Sequence, residues 1–112
     1  MKSEKAFEIQ VKQFLIDRGC WVLKTWSNGI QREGVPDLLV CCNGHFLAVE
    51  LKAEKGHPSA LQIWNIAQIR ASGGIALVLY PDQFDAFKRL VDELQSKIID
   101  KRKQYDFDRK ES

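Results

Sequence analysis

The sequence has none of the long apolar segments that mark membrane or secreted proteins. Its 112 residues contain no apolar run of about 18 residues, so no membrane span is predicted. The N-terminus leads into an amphipathic pattern instead of an apolar signal core, and we therefore expect a cytoplasmic protein. No internal repeat or low-complexity segment is visible. The length predicts one domain, over residues 1–99, followed by a charged tail at 100–112.

Cysteine is scarce and the net charge is small. Cys20, Cys41 and Cys42 form neither a disulfide framework nor a C-x-x-C zinc motif, because their number is odd and two are adjacent. We predict that Cys41 and Cys42 lie on opposite faces of a strand as buried, reduced side chains. The formal charge of +2 does not by itself indicate a nucleic-acid-binding protein. Any such argument depends on where the charges lie.

Apolar periodicity and capping signals predict the order helix, three strands, helix, strand, helix. The last strand follows a helical crossover, which favours parallel pairing with a neighbour. We therefore expect an α/β (α+β) domain with a mixed sheet flanked by helices. The predicted elements are a helix from about Ser3 to Arg18, a strand over 20–26, hairpin arms at 37–42 and 45–52, a helix from Ser59, a strand over 75–80 and a helix after Pro81.

The strongest local signal is the hairpin that turns at Asn43-Gly44. A two-residue type I′ turn needs positive φ at both positions, and Asn-Gly is a preferred pair for it. This loop length fixes the register, so Asp37 faces Glu50 on one side of the sheet. Lys52 follows Glu50 by two residues and lies on that side as well. Like charges directly opposite destabilise a sheet, so the opposed carboxylates predict a cation between them.

These residue types suit metal-assisted phosphodiester hydrolysis. Carboxylates on adjacent strands fit Mg²⁺, and the Leu51 carbonyl can add another oxygen. Glu8, at the edge of the first helix's apolar stripe, offers a third carboxylate. A bound metal makes water more acidic and offsets charge on the attacked phosphate, while Lys52 can orient or deprotonate that water, or neutralise the phosphate. Two simpler interpretations stay open: Asp37 is a turn residue, or Lys52 only pairs with Glu50 in a metal-free structural protein.

Three segments resemble a known nuclease family. Pro36-Asp37, then twelve residues, then Glu50-Leu51-Lys52 resembles the P-D…(D/E)-x-K signature of the restriction-endonuclease-like superfamily. Segments 34–38, 49–52 and 59–64 are similar, more narrowly, to the virus-type replication-repair nucleases (VRR-NUC). The similarity runs from the first helix to about Tyr80. It implies a restriction-endonuclease-like fold and a stand-alone, phage-type Holliday junction resolvase in a bacterial or phage-infected cell.

The resemblance also implies roles for individual residues. Glu4, one helical turn before Glu8, is the alternative to Glu8 as the helix-borne acidic residue. Gln62 matches the family's auxiliary glutamine, although its spacing from Ser59 fits a capping box equally well. Leu51 stands where the family often has Val, which leaves the backbone carbonyl available. The implied ligands of Mg²⁺ or Mn²⁺ are Asp37, Glu50 and Glu8, and the implied catalytic lysine is Lys52.

Basic side chains and a helix N-terminus flank the predicted site. Phosphate contacts from such groups supply most non-specific affinity for DNA. The chain has no room for a separate sequence-reading module, so we expect it to recognise the shape of branched DNA. The candidate phosphate-binding residues are Lys24, Arg32, Lys55, His57 and Ser59.

The resulting hypothesis is a Mg²⁺-dependent, structure-specific DNA endonuclease that resolves four-way junctions. A symmetric homodimer would allow two strands to be cut. The third helix and the Tyr105/Phe107 tail are the candidate dimer contacts. No small-molecule cofactor is expected. The alternatives are a less specific flap or duplex nuclease, and a DNA-binding module that uses the same fold without cleaving.

Overall fold

A four-stranded mixed sheet with helices on both faces forms the domain. The computed structural model describes residues 3–26 and 33–99. The strand order is β1-β2-β3-β4, with β1, β2 and β3 antiparallel and β4 parallel to β3. The predicted order of elements and the mixed sheet are confirmed. The elements are α1 (Glu4–Asp17), β1 (Trp21–Lys24), β2 (Leu38–Cys42), β3 (His45–Leu51), α2 (Ala60–Ala71), β4 (Ile75–Leu79), a 3-10 turn (Pro81–Gln83) and α3 (Phe84–Gln95).

The larger core lies between one face of the sheet and helices α1 and α3. The Ser3 side chain caps α1 by accepting a hydrogen bond from the Ala6 amide at 3.1 Å, which fixes where the helix begins. The buried side of α1 then meets alternate strand residues and the buried side of α3. The principal members of this core are Phe7, Val11, Leu15, Leu38, Val40, Leu47, Val49, Leu51, Phe87, Val91 and Leu94.

A smaller core lies on the opposite face, under α2. Ala48, Ile66 and Ala76 form it, so α2 covers β3 and β4. The part of this face that belongs to β1 and β2 is less covered by α2. Cys42 is buried on the α1 side, as predicted, but the prediction that Cys41 is buried is wrong. Cys41 points to the α2 side of the sheet, beyond the area that α2 covers.

The central hairpin has the predicted turn and register. Asn43 and Gly44 have φ of 50° and 85°, as a type I′ turn requires. Within the described residues the ladder runs from Leu38↔Val49 to the turn without a bulge. Its continuation places Asp37, just before β2, opposite Glu50. The Asn43 amide also donates to the carbonyl oxygens of Leu94 and Lys97, at 2.9 and 2.7 Å, at the end of α3.

Two further predictions concern the chain as a whole. No helix within residues 3–26 and 33–99 is long and apolar enough to span a membrane. The charged tail at 100–112, including Tyr105 and Phe107, lies outside the described residues. The domain boundary at residue 99 therefore stays a prediction.

Candidate active site

Asp37 and Glu50 lie together at the ends of β2 and β3. Asp37 Oδ2 accepts a hydrogen bond from the Leu51 amide at 3.0 Å, which ties the loop before β2 to the adjacent strand. Glu50, the penultimate residue of β3, is only 1% exposed. The hairpin thus brings a carboxylate just before β2 close enough to one near the end of β3 for their charges to interact.

Glu50 is an incompletely satisfied buried carboxylate. Its Oε2 lies 3.2 Å from Lys52 Nζ and accepts a hydrogen bond from Gln62 Nε2 at 2.9 Å. Among the described residues, its Oε1 is buried and has no hydrogen-bond partner. Burial and then the negative charge of Asp37 raise the pKa of Glu50 to about 7, against the opposing charge of Lys52. A buried polar atom without a partner is costly, so this position favours a further positive group.

Gln62 makes both of the contacts that the sequence left as alternatives. Its side-chain Oε1 accepts a hydrogen bond from the backbone N–H of Ser59 at 2.8 Å. Ser59 Oγ accepts one from the backbone N–H of Gln62 at 3.1 Å, which completes a capping box. The same side-chain amide donates from Nε2 to Glu50. The start of α2 therefore orients Gln62 towards the carboxylate. A catalytic role for Gln62 stays a prediction.

Lys24 links the helix-borne carboxylate to Asp37. Its Nζ lies 2.9 Å from Glu8 Oε1 and 3.5 Å from Asp37 Oδ1. Burial opposes ionisation of Glu8, but Lys24, together with Lys5 at 3.5 Å, outweighs it and lowers the pKa of Glu8. Burial likewise acts against the charged form of Lys24, while Glu8 and Asp37 raise its pKa overall. Glu8 is buried and Glu4 is exposed, which makes Glu8 the better-positioned of the two helix carboxylates.

The donor set fits a divalent cation held by few protein oxygens. Within residues 3–26 and 33–99, no three histidine, cysteine, aspartate or glutamate side chains converge into a metal cluster. Glu8 is instead ion-paired with Lys24. Asp37 and Glu50 alone suit Mg²⁺, which commonly takes one or two carboxylates and completes its shell with waters and substrate phosphates. The partnerless oxygen of Glu50 is the atom that such an ion would satisfy.

The predicted phosphate contacts differ in their surroundings. Lys24 is half-buried in its ion pairs, whereas Lys55, His57 and Ser59 are exposed on the connection from β3 to α2. That connection begins at Lys52, whose Nζ contacts Glu50, and it ends at the capping box of Ser59 and Gln62. Arg32 lies outside the described residues. Tyr80 was not anticipated: its hydroxyl donates to the Gly56 carbonyl at 2.9 Å and ties this connection to the end of β4.

Gly34 also has a role that the motif alone did not explain. Its φ is +77°, and a Cβ added there would lie 2.6 Å from Leu61 Cγ and 2.9 Å from Asn65 Nδ2. Asn65 is buried and donates to the Glu33 carbonyl at 3.2 Å, so α2 and the loop before Asp37 are in direct contact. An isolated glycine before a strand can signal such a close approach.

Comparisons with known proteins identify the family and the fold. A family model described as archaeal Holliday junction resolvase (Hjc) matches residues 2–83. One similar solved structure, described as a VRR_NUC domain, is 26% identical, with a TM-score of 0.61, and the match covers 86% of this chain and 97% of that one.

A second solved structure carries the same fold. It is Hjc from Archaeoglobus fulgidus, described as a Holliday junction resolvase from an archaeal hyperthermophile, and it is 23% identical with a TM-score of 0.51. That match covers 67% of this chain and 66% of the other. A search of curated proteins found no significant match. The family match spans most of the chain, including every predicted site residue. The chain therefore belongs to the archaeal Holliday junction resolvase family and is a structure-specific nuclease that resolves Holliday junctions.

Proposed function

We propose that this nuclease is a Mg²⁺-dependent endonuclease in which Asp37 and Glu50 hold the metal, with Mn²⁺ able to substitute. Resolvase nucleases generally use divalent metal ions. The observation that carries the proposal is the buried Glu50, whose Oε1 has no hydrogen-bond partner among the described residues and which lies beside Asp37. Two neighbouring carboxylates repel each other unless a positive charge lies near both.

The side chains of the site have two roles: the carboxylates bind the metal, and Lys52 acts on the water or the phosphate. Bound Mg²⁺ supplies an acidified water and offsets negative charge on the attacked phosphate. Asp37 is held in place by the Leu51 amide, and Gln62 holds Glu50 through Oε2 while leaving Oε1 available. Lys52 Nζ, 3.2 Å from Glu50, is placed to orient the water or to neutralise the phosphate. The Leu51 carbonyl is proposed as an additional ligand.

Glu8 is proposed as the third acidic residue of the site. Lys24 lies between Glu8 and Asp37, and its single positive charge offsets part of the negative charge of the pair. A phosphate that approaches the site competes with Asp37 for Lys24, and a metal ion competes with Lys24 for Asp37. Lys24 then becomes available to the DNA backbone, which reconciles its ion pairs with the predicted phosphate contact.

The substrate is proposed to contact the exposed connection between β3 and α2. Lys55 provides positive charge there, His57 provides a ring N–H donor and the N-terminal end of α2 at Ser59 provides amide dipoles; Arg32 is proposed to join them. Two copies of the chain, each with one site, would cut two strands of a four-way junction. We therefore propose a cytoplasmic homodimer that acts on branched DNA.

A panel of DNA substrates tests this function. The wild-type chain is incubated with four-way junction, flap, single-stranded and linear duplex DNA, each with Mg²⁺, Mn²⁺ or EDTA. We expect metal-dependent cutting of the junction, and a loss of more than about a hundredfold in Asp37→Asn, which keeps the shape of the side chain.

Each contrary outcome contradicts a different part of the proposal. Cutting in EDTA, or undiminished cutting by Asp37→Asn, contradicts the mechanism. Junction binding without cleavage under any metal favours the non-cleaving DNA-binding module. Equal cutting of linear and branched DNA removes only the preference for junctions.

A further inference from the structure

Two buried thiols lie at the end of the sheet opposite the carboxylates. Cys20 immediately precedes β1, and Cys42 is the last residue of β2. Cys20 is 8% exposed and Cys42 is 0% exposed, and both belong to the core shared with α1 and α3. Cys42 follows Asp37 by five residues, about 17 Å along an extended strand. The proposed cleavage mechanism therefore makes no use of either thiol.

The register of β1 and β2 places the two thiols opposite each other. The antiparallel ladder begins at Trp21↔Cys41, and one further step in the same register pairs Cys20 with Cys42. The side chains are in contact: burial and then a hydrogen bond with Cys20 raise the pKa of Cys42 to about 12. The two sulfur atoms are thus neighbours within the core.

The backbone spacing at this pair suits a disulfide. The Thr25 amide donates to the Asp37 carbonyl at 2.8 Å, which marks a hydrogen-bonded position of the ladder. Hydrogen-bonded and non-hydrogen-bonded positions alternate, and Cys20 precedes Thr25 by five residues. The Cys20/Cys42 pair is therefore of the non-hydrogen-bonded kind, with Cα atoms about 4.5 Å apart. Disulfides span Cα distances of about 4.4–6.8 Å.

Both helices of the larger core hold Cys20 in place. Its amide donates to the Leu15 carbonyl at 3.0 Å, at the end of α1. Gln95, the last residue of α3, donates from Nε2 to Cys20 Sγ at 3.5 Å and to the Arg18 carbonyl at 2.7 Å. The Cys20 thiol is therefore oriented for Cys42 before any reaction.

Cys41 provides the contrast within the same strand. It is exposed, and because successive residues of a strand alternate between faces, it points away from Cys42. Exposure makes Cys41 the thiol that external reagents reach first. The register nevertheless gives Cys42, and not Cys41, the position opposite Cys20.

We propose that Cys20 and Cys42 are an oxidation site, at which a hydroperoxide converts the two thiols into a disulfide that joins β1 to β2. The proposal is independent of the nuclease mechanism. Cys20, the more exposed of the two, attacks the peroxide; the O–O bond breaks, and the products with hydrogen peroxide are a sulfenic acid and water. The Cys42 sulfur then attacks the Cys20 sulfur, the S–S bond forms as the S–O bond breaks, and the Cys42 proton leaves with the hydroxide as a second water.

The disulfide would secure one edge of the sheet. In the described sheet, β1 is an edge strand paired with β2. A bond between Cys20 and Cys42 closes the chain between them into a loop, which restricts the unfolded state. Oxidation should therefore raise the Tm.

Mass spectrometry of the full chain, after treatment with hydrogen peroxide and blocking of the remaining thiols, tests the pairing. We expect a monomeric species that has lost two hydrogen atoms, and a linked pair of peptides that contain Cys20 and Cys42. Reduction should restore the original mass. Cys41→Ser is the matched variant: it changes an exposed side chain, should fold normally and should keep the link. Its oxidised form should have a Tm about 5 °C or more above its reduced form.

Three outcomes would overturn the proposal. One is loss of the link in Cys41→Ser, which would make the exposed thiol the partner of Cys20. Another is a link that forms only in denaturant, and the third is an unchanged or lower Tm on oxidation. Cys20→Ala and Cys42→Ala should each abolish the link, and the result with Cys41→Ser decides alone if these core variants do not fold.

Discussion

Glu50 is a buried carboxylate whose pKa is raised to about 7 by burial and by the neighbouring charge of Asp37. The hairpin register predicted that it faces Asp37, and the ladder confirms that register up to the adjacent pair, Leu38↔Val49. The burial of Glu50 was not predictable. The alternation of side chains along a strand predicts which face of the sheet a residue lies on, but not how far α2 covers that face. The contact from Gln62 depends on that cover. The sequence thus identified the two residues, and the packing of α2 gives one of them its raised pKa.

The stability of the metal-free protein should depend on the ionisation of Glu50. Its pKa is raised to about 7 in the folded state, so the protonated form favours folding. This contribution is complete below the ordinary pKa near 4.5 and is lost as the pH rises through about 7. We expect the Tm of the wild type, relative to Glu50→Gln, to fall by about 5 °C or more between pH 5 and pH 8 in EDTA. Thermal unfolding of both proteins measures this difference, and a constant difference across that range would contradict the prediction.

Lys24 should compete with a metal ion for Asp37. Lys24→Met removes a positive charge 3.5 Å from Asp37 Oδ1 and leaves Glu8 without its nearest partner. We expect a lower Tm in EDTA, and a Kd for Mn²⁺ reduced at least about threefold. Lys5→Met is the control, because Lys5 is exposed and pairs with Glu8, whereas Lys24 is the ion-pair partner of Asp37 among the described residues. Unchanged or weaker Mn²⁺ binding by Lys24→Met would refute this role.

At the scale of the element, the start of α2 joins helix capping to the active site. Ser59→Ala removes one capping bond and should cost about 1 kcal/mol of unfolding free energy. It keeps the backbone amides of the α2 N-terminus and the Gln62 donor to Glu50, so cleavage should fall less than in Gln62→Ala. Gln62→Ala removes the other capping bond and also the donor to Glu50, so it should lose stability and cleavage together. Denaturant unfolding and cleavage rates separate the two effects. Equal cleavage by the two variants would show that Gln62 is only a cap.

The loop before β2 depends on the absence of a side chain at Gly34. Gly34→Ala should destabilise the protein by about 2 kcal/mol, because its positive φ is strained for alanine and the new Cβ overlaps Leu61. The displaced loop carries Asp37, so cleavage should fall as well. Gly19→Ala is the control: it also has positive φ, but a Cβ there meets no atom within 4 Å. Equal losses of stability would mean that the close approach contributes nothing.

The helices and strands themselves were largely predictable, whereas the extent to which each strand is buried by a helix was not. Capping residues and apolar periodicity gave the helices and strands, and Asn43-Gly44 gave the hairpin register. The exposure of Cys41 and Trp21 was not foreseen. An apolar residue on a strand indicates a face suited to burial, but the position of α2 relative to β1 and β2 is a property of the tertiary packing.

At the scale of the whole molecule, the proposed site occupies one end of the sheet face on which α2 packs. The two carboxylates lie beside the connection that leads from β3 into α2. The sequence-based dimer candidates were α3 and the Tyr105/Phe107 tail. The inner side of α3 is packed into the larger core, through Phe87, Val91 and Leu94. Only its charged outer side remains for a partner.

The central claim is that Asp37 and Glu50 form a metal site, and calorimetric titration of Mn²⁺ into the metal-free protein tests it directly. Titrations near pH 7 in two buffers of different protonation enthalpy also count the protons released. The account predicts binding with release of a fraction of a proton, since Glu50 has a pKa of about 7, and binding at least about tenfold weaker in Glu50→Gln. Equal Mn²⁺ affinity in the wild type and Glu50→Gln, or no binding by the wild type, would contradict it.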